Sequence, residues 1–343
     1  MRAAVFYEHG GLEVIQCVDD LPVPEPGAGE VRVRMQAAAL NRLDLWVRAG
    51  WKGLNIALPH VIGSDGAGIV DAVGAGVTNV VPGDRVAINP TLIDQDCLNL
   101  RGSESDCLDI QIIGEHAPGV AAEYVVLPAR NLHKMPDSVT FEEAAAAGLV
   151  FVTAWNSLMN RGGLRTGESV LIVGAGGGVN SASIQIAKLA GCTVYVVGSS
   201  AERCAQAEQL GADVTIDRST EESWSKALAK LTNRVGVDVV VDNVGQVTLM
   251  DSMKAVKRGG RILIVGNTSG YNAQIDTRYL FAKQISLIGS SMGTTADYVK
   301  VMNLVFAGKL KPVVGKVFPL SDARQAEETL EKFDVFGKVV LAI

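Results

Sequence analysis

The segment Gly174–Gly178 contains four glycines and lies between the apolar strand predicted at Val170–Val173 and the amphipathic helix predicted at Val179–Ala190. Residues without a Cβ let backbone N–H groups approach a phosphate closely, and the start of a helix adds partial positive charge. A glycine turn that closes a strand and opens a helix is typical of dinucleotide-binding sheets. The residues predicted to bind a pyrophosphate are Gly174, Ala175, Gly176, Gly177, Gly178 and Val179.

The residues that follow this turn depart from the usual glycine pattern, so an alternative interpretation stays open. Val179 and Asn180 stand where a third glycine usually allows close packing of the helix on the strand. A tight turn that binds no ligand is the alternative interpretation of the glycines.

Apolar strands and helical segments alternate from Ser169 onward. The predicted strands are Val170–Val173, Thr193–Val197, Val214–Ile216, Val237–Val241, Arg261–Val265 and Ile285–Ile288. Strict alternation indicates a parallel sheet covered on both faces, and six strands complete a doubly wound (Rossmann) dinucleotide-binding fold. We assign this α/β domain to residues 136–292.

The first part of the chain shows a different pattern. Val31–Met35 alternates apolar and charged residues, which predicts a half-buried antiparallel strand. Gly66–Ile88 holds five glycines between short apolar runs, which is typical of a β-barrel with sharp bends. Val339–Ile343 is again strand-like. We therefore predict a first domain over residues 1–135, completed by residues 293–343.

Charge and cysteine content restrict the possible partners and compartment. With 31 basic and 37 acidic residues the net charge is −6, which favours neither nucleic acid nor an anionic membrane as partner. The longest uncharged run, Ser169–Ala187, contains glycines and polar residues that a membrane-spanning helix would not carry. The start reaches Glu8 too soon for a signal peptide, and the five cysteines are an odd number. We expect a cytoplasmic protein with reduced thiols.

The end of the second predicted strand decides which dinucleotide binds. An NAD site places a carboxylate there, whereas this chain has Gly198, Ser199 and Ser200, followed by Arg203. The two hydroxyls and the guanidinium are donors suited to a ribose 2′-phosphate. We therefore predict that these residues bind NADP(H). Alternatively, Ser200 caps the next helix and Arg203 is solvated, and both roles can coexist.

Motifs along the whole chain resemble those of the medium-chain dehydrogenase/reductase superfamily. They are Pro59–Val70, Pro82–Val86, the glycine turn, Leu210–Asp213 and Phe336–Val340. The chain is most similar to the quinone oxidoreductase branch and to zinc-type alcohol dehydrogenases. The resemblance implies a GroES-like β-barrel-type catalytic domain in front of the Rossmann domain.

The positions of the family's catalytic zinc ligands carry other residue types in this chain. They fall at Asn41, Ser64 and Asp65, and near Leu149. A catalytic zinc needs three protein ligands, usually cysteine, histidine or carboxylate. One carboxylate among four positions does not meet that requirement, so we predict no catalytic metal.

The family's structural zinc loop is also altered. Asp94, Cys97 and Leu100 occupy the first three ligand positions, and Cys107 lies near the fourth. The side chains of Asp94, Asp96, Cys97 and Cys107 would form at most a weak metal site. Otherwise the loop is kept without a metal, with the cysteines as small buried residues or an incidental pair. We interpret the four histidines as surface or loop residues.

Without a metal, another group must stabilise the negative charge that hydride transfer creates on the substrate oxygen. Quinones and α,β-unsaturated carbonyl compounds spread that charge by conjugation, so we predict such a small molecule as substrate. The resemblance places Asn41 beside the nicotinamide, where it could donate a hydrogen bond to the substrate carbonyl or the ribose. Asp44 is the second candidate catalytic residue and could anchor the same turn. An ordinary helix cap is the alternative for this segment.

Further cofactor contacts are implied by the resemblance at the ends of strands and helices. These residues are Thr153, Asn243, Gly245, Gly266 and Asn267, and Lys338 near the C-terminus. For Lys338 a solvated edge lysine is the alternative. The expected assembly is a homodimer or homotetramer. Two further functions remain open, an alcohol or aldehyde dehydrogenase and a non-enzymatic NADPH-binding protein.

Overall fold

A computed structural model describes residues 1–102, Glu104, Cys107 and residues 111–343. It divides into two compact units. The first unit comprises Met1–Leu149 and Thr294–Ile343, and the second comprises Val150–Gly293.

The strands in chain order are β1 (Ala3–Phe6), β2 (Gln16–Val18), β3 (Glu30–Leu40), β4 (His60–Val61), β5 (Asp65–Val73), β6 (Arg85–Ile88), β7 (Thr91–Leu92), β8 (Gln111–Ile112), β9 (Tyr124–Pro128), β10 (Leu132–Lys134), β11 (Ser169–Val173), β12 (Thr193–Gly198), β13 (Val214–Asp217), β14 (Val237–Asp242), β15 (Val256–Ile264), β16 (Ser286–Gly289), β17 (Val314–Pro319) and β18 (Lys338–Ala342).

The α-helices are α1 (Arg42–Ala49), α2 (Gln95–Arg101), α3 (Phe141–Trp155), α4 (Gly178–Leu189), α5 (Ala201–Gln209), α6 (Trp224–Leu231), α7 (Leu249–Ala255), α8 (Thr277–Lys283), α9 (Thr295–Phe306) and α10 (Ala323–Glu331). Among the described residues, none of these helices is both long and apolar enough to traverse a bilayer.

The second unit, which the structure describes throughout, is built on a six-stranded sheet of order β13-β12-β11-β14-β15-β16. Every neighbouring pair is parallel. The central strands are apolar and fully buried, as at Leu171, Val240 and Ile262, because helices cover both faces of such a sheet. All six predicted strands and the doubly wound fold are confirmed. In this topology the carboxyl ends of the strands share one edge, where ligands bind.

The first unit contains three sheets within the ranges that the structure describes. The largest has seven strands, in the order β10-β6-β5-β3-β18-β17 with β9 paired to β3. β3 alternates as predicted over Val31, Val33 and Met35, and its last residues, Ala37–Leu40, are all buried. β18 pairs antiparallel with that buried end, so the C-terminal strand completes the sheet.

Two glycines allow neighbouring backbone segments of the first unit to approach each other closely. A Cβ on Gly68 would lie 2.4 Å from the carbonyl oxygen of Arg34 on the neighbouring strand. A Cβ on Gly74 would lie 1.7 Å from the carbonyl oxygen of Gly27. Neither approach is possible for another residue, because non-bonded carbon and oxygen atoms do not come this close.

The boundary between the units differs from the predicted one. The first unit extends through Leu149 rather than ending at residue 135, and it resumes at Thr294. The helix α3 is tied to the first unit as far as Leu149, whose N–H donates to Asp65 Oδ1 at 2.6 Å. The hydrophobic periodicity of the sequence changes near residue 136, whereas the boundary between the two compact units follows Leu149.

The prediction of reduced thiols is wrong for two cysteines. Cys97 and Cys107 form a disulfide with their Cα atoms 5.8 Å apart. Cys17, Cys192 and Cys204 are free. The pairing joins α2 to a residue ten positions later, a proximity that sequence spacing alone does not reveal.

The interpretation of all histidines as surface or loop residues is also wrong. His60 lies in β4, is 1% exposed, and its Nε2 is 3.1 Å from the Gly114 carbonyl oxygen. His133 lies in β10 and stacks on Phe306. Both rings pack against an aromatic side chain, His60 against Phe6 and His133 against Phe306.

A buried hydrogen bond between Arg48 and Glu327 connects α1 with α10. Arg48 Nη1 donates to Glu327 Oε2 at 2.5 Å, and the two side chains are 4% and 0% exposed. Burial raises the pKa of the Glu327 carboxyl to about 8; the charge of Arg48 opposes this shift and that of Asp44 adds to it. Folding therefore favours the protonated form of Glu327.

This raised pKa predicts a specific pH dependence of stability. The folded chain binds more protons than the unfolded chain between about pH 4.5 and pH 8, so the contribution of Glu327 falls as the pH rises through that window. The unfolding free energy of the wild type minus that of Glu327→Gln should decrease by up to about 1 kcal/mol per pH unit. Urea unfolding at several pH values measures this difference.

Glu328→Gln is the matched control for that measurement. Glu328 lies next in the same helix but is partly exposed and paired with Lys332 on the surface. Its difference curve should stay flat over the window. A flat curve for Glu327→Gln as well would contradict the assignment.

Candidate active site

The predicted glycine turn lies at the carboxyl end of β11 and leads directly into α4. Gly174 and Gly177 have positive φ angles of 106° and 89°, which favour glycine. A Cβ at Gly177 would meet nothing within 4 Å, so the turn leaves open space. The first N–H groups of α4 have no partner within the helix. The turn residues therefore fit a pyrophosphate group.

Asn180 explains how the turn works without the third glycine. Its Nδ2 donates to the Val173 carbonyl oxygen at 3.3 Å, and its Oδ1 accepts from Asn243 Nδ2. A Cβ on Gly174 would lie 2.7 Å from Asn180 Nδ2. A hydrogen-bonded amide thus holds the helix to the strand where a glycine usually packs.

The loops after β14 and β15 bring four other predicted residues together. A Cβ on Gly245 would lie 3.1 Å from Asn267 Cα, and one on Gly266 would lie 3.0 Å from the Asn243 carbonyl oxygen. Asn243 Oδ1 is buried without a partner among the described residues. Thr153 lies apart from this group in α3, where its hydroxyl donates to Met292 Sδ at 3.7 Å.

The end of β12 shows the helix cap that was the alternative for Ser200. Ser200 Oγ accepts from the Arg203 N–H at 3.3 Å at the start of α5. Ser199 is exposed beside it, and Arg203 is half-buried. The serine hydroxyl retains its own hydrogen for a ligand, so the cap does not exclude a second role.

Arg218 at this edge was missed in the sequence analysis. Its N–H donates to the Gly198 carbonyl oxygen at 3.0 Å, which brings it to the end of β12. The side chain is exposed and has neither a hydrogen bond nor an ion pair within the described part of the chain. The sequence signal was an arginine directly after the third strand of the sheet.

Three residues from distant parts of the chain form a buried cluster in the first unit. Asn41 is the N-cap residue of α1, Asp65 begins β5 and Lys338 begins β18. Asn41 Nδ2 donates to Asp65 Oδ2 at 2.9 Å, and Lys338 Nζ donates to Asn41 Oδ1 at 2.5 Å. Lys338 Nζ also lies 3.3 Å from Asp65 Oδ2. Their exposed fractions are 6%, 0% and 4%.

Asp44 is brought close to this cluster but serves a different role. Its two carboxylate oxygens accept from the N–H groups of Asn41 at 2.6 Å and Gly63 at 2.9 Å. Burial raises the pKa of Asp44 to about 6, and the two N–H groups oppose the shift. This geometry lets Asp44 anchor the turn at the start of α1, and a catalytic role for its carboxylate stays a prediction.

The family's catalytic zinc does not fit these residues. Asp65 is the one carboxylate at the expected ligand positions, and its Oδ2 already faces the ammonium of Lys338. Burial lowers the pKa of Lys338, whereas the carboxylates of Asp65 and Asp44 favour its charged form. Within the described residues, no group of three or more His, Cys, Asp or Glu side chains could hold a metal ion.

A doubly wound sheet whose first strand ends in a glycine-rich turn is typical of dinucleotide-binding proteins. Residues 27–137 match the family described as Alcohol dehydrogenase GroES-like domain, and residues 178–307 match Zinc-binding dehydrogenase. The quinone oxidoreductase of Rattus norvegicus is 30% identical over 100% of this chain and 98% of its own length.

Two solved structures are similar over nearly the whole chain. An NAD-dependent alcohol dehydrogenase is 47% identical with a TM-score of 0.96, and all of both chains is covered. A 2-octenoyl-CoA carboxylase reductase in complex with NADP and 2-octenoyl-CoA is 27% identical with a TM-score of 0.89, covering 99% of this chain and 87% of that one. The chain belongs to the medium-chain dehydrogenase/reductase superfamily. It is an oxidoreductase for which a nicotinamide dinucleotide is the expected cofactor.

We predict that Gly177→Asp abolishes dinucleotide binding by placing a carboxylate where the pyrophosphate is expected. Repulsion between the two anions should weaken both NADPH and NADH, at least 100-fold if a few kcal/mol are lost. Titration calorimetry measures the two affinities.

Gly167→Asp is the matched control. Gly167 has a φ of 86°, close to that of Gly177, and equally open space around a Cβ. It lies before β11, at the opposite edge of the sheet. This variant should bear the same backbone strain and keep its affinity; equal losses in both variants would attribute the effect to strain.

Proposed function

We propose that the chain is an NADPH-dependent oxidoreductase that transfers hydride to a quinone or an α,β-unsaturated carbonyl compound without a catalytic zinc ion. The observation that carries the proposal is the buried Asn41–Asp65–Lys338 cluster. Two of the family's zinc-ligand positions carry an amide, Asn41, and a carboxylate, Asp65, and the Lys338 ammonium contacts both side chains.

The chemistry of the cluster favours a conjugated acceptor. When bound, the dinucleotide supplies a hydride, and the acceptor oxygen becomes negative before it takes a proton. Asn41 is the group proposed to donate a hydrogen bond to that oxygen. A neutral amide stabilises a localised alkoxide less than a Lewis acid does, so conjugation within the acceptor must share the charge. The similarity to a quinone oxidoreductase and to a 2-octenoyl-CoA carboxylase reductase supports this choice.

The preference for NADPH rests on the carboxyl ends of β12 and β13. No carboxylate ends β12, whose last residue is Gly198 and which is followed by Ser199 and Ser200. Arg203 follows in α5, and Arg218 approaches from the end of β13. Two guanidinium groups and two hydroxyls are suited to bind the charged 2′-phosphate of NADPH. The ribose 2′-hydroxyl of NADH is uncharged and does not require the two cations.

Arg203→Ala and Arg218→Ala are each predicted to weaken NADPH binding by about 1.5–3 kcal/mol, the range for a hydrogen bond to a charged group. NADH affinity should be nearly unchanged. Lys230→Ala, which removes a cation from the last turn of α6, should change neither affinity. Equal losses of NADPH and NADH in the arginine variants would refute the assignment.

The experiment that tests the function is turnover of NADPH with a panel of quinones, enones, alcohols and aldehydes, with and without a chelator. We predict turnover of the quinones or enones at a rate that EDTA and phenanthroline do not change, because the cluster needs no metal. Metal analysis of the purified chain should give far less than one zinc per chain. Stoichiometric zinc with chelator-sensitive turnover would disprove zinc independence.

The second candidate function is that of an NAD-dependent alcohol dehydrogenase, which the 47% identical structure favours. Its signature in the same panel is alcohol oxidation with NAD as the better cofactor. Tight NADPH binding with no turnover of any compound would instead indicate a non-enzymatic NADPH-binding protein.

A further inference from the structure

The Asn41 carboxamide can have only one orientation in its cluster. Lysine offers donors alone and an ionised aspartate offers acceptors alone. Asn41 Oδ1 must therefore face Lys338 Nζ, and Nδ2 must face Asp65 Oδ2, as observed. The flipped amide would put N–H groups against the ammonium and its oxygen against the carboxylate. The two charged partners thus fix the amide by chemistry as well as by packing.

This arrangement leaves one donor of Asn41 unused. The amide nitrogen carries two hydrogens, and one of them is donated to Asp65. The other has no partner in the part of the chain that the structure describes. Because Asn41 is only 6% exposed, water competes little for that hydrogen.

We propose that Lys338 is a positioning residue whose ammonium orients and polarises the Asn41 amide, so that its free Nδ2–H stabilises the negative charge on the substrate oxygen. The inference rests on the proposed function and names the source of its electrostatic stabilisation. An amide whose oxygen accepts from a cation is a stronger donor at nitrogen, because hydrogen bonds in a chain polarise one another.

The alternative for Lys338 is the direct cofactor contact predicted from the resemblance. Its Nζ is already held by Asn41 Oδ1 and Asp65 Oδ2, and its side chain is 4% exposed. These contacts are within the first unit and supply two of the three hydrogen-bond acceptors that an ammonium takes. The geometry therefore points to an action through Asn41.

The test is a double-mutant cycle on the rate of the hydride-transfer step, measured by stopped-flow absorbance of NADPH. Lys338→Met should lower this rate about 10- to 100-fold, the range for groups that orient a reacting residue. Asn41→Ala should lower it about 10²–10³-fold, as expected for loss of one oxyanion donor. In the Asn41→Ala background, Lys338→Met should have no further effect beyond about twofold. If Lys338→Met lowered the rate by the same factor with and without Asn41→Ala, the inference would be overturned.

Two readouts separate positioning from cofactor binding and from simple structural damage. The affinity for NADPH should stay within about threefold of wild type in Lys338→Met; a loss confined to affinity would make Lys338 a cofactor ligand and overturn the inference. Lys338→Arg should restore part of the rate, since it restores the charge. The loss should be larger for an enone than for a quinone, because the quinone delocalises more charge.

Lys338→Met leaves Asp65 without its cation, and such a loss can unfold a chain. The variant Lys338→Met/Asp65→Asn removes both charges with side chains of similar size and should fold. Its hydride-transfer rate should fall as in Lys338→Met; a wild-type rate would overturn the inference. Lys332→Met, which removes a surface ion pair on α10, is the control and should leave the rate unchanged.

A spectroscopic measurement distinguishes failure of the inference from failure of the proposed function. With asparagine labelled by ¹⁵N, the Asn41 side-chain amide resonances should shift upfield in Lys338→Met and in the charge-free double variant. This result is expected whether or not the wild type turns over any compound. If the variants show the shift but the wild type is inactive, the proposed function alone is refuted. If the wild type is active but the variants show no shift, the proposed action of Lys338 through Asn41 is refuted.

Discussion

The carboxylate of Asp65 holds together the buried cluster of the first unit. It accepts from Asn41 Nδ2 and the Leu149 N–H, and it faces Lys338 Nζ. These groups come from the start of α1, from α3 and from β18, so one buried anion connects three elements to β5. A buried carboxylate is tolerated only when such donors replace water. Gly148 is required for the same reason, because a Cβ there would lie 2.2 Å from Asp65 Oδ1.

The fold could be predicted from the sequence where its signals are local. The strand Ser169–Val173, the turn Gly174–Gly178 and the helix that follows are contiguous, so one segment carries the whole pattern. The capping role of Ser200 was also readable, since the cap bond spans three residues. The hydrogen bonds of Asn180 could not be predicted from such local signals. Its position was recognised as a departure from a glycine, but its bonds to Val173 and Asn243 needed coordinates.

The candidate site was only partly predictable because its key contacts are long-range. Asn41 and Asp65 were singled out as altered metal positions, and Lys338 was assigned separately to the cofactor. Nothing in their spacing indicates that the three side chains bond one another. Arg218 was missed because the pairing of β13 with β12, which brings it to Gly198, is a property of the sheet. The pairing of Cys97 with Cys107 was one of the alternatives left open, and a count of cysteines could not decide between them because it does not show which cysteines meet.

The ammonium of Lys338 differs from a bound metal ion in where it comes from and in the interactions that it can make. It is synthesised with the chain and cannot be exchanged, removed by competitors or replaced by a different metal, so its presence does not depend on metal homeostasis in the cell. It also cannot add a ligand. An ammonium has no vacant orbital, so an oxygen atom near it gains a hydrogen bond or a field and never a coordinate bond.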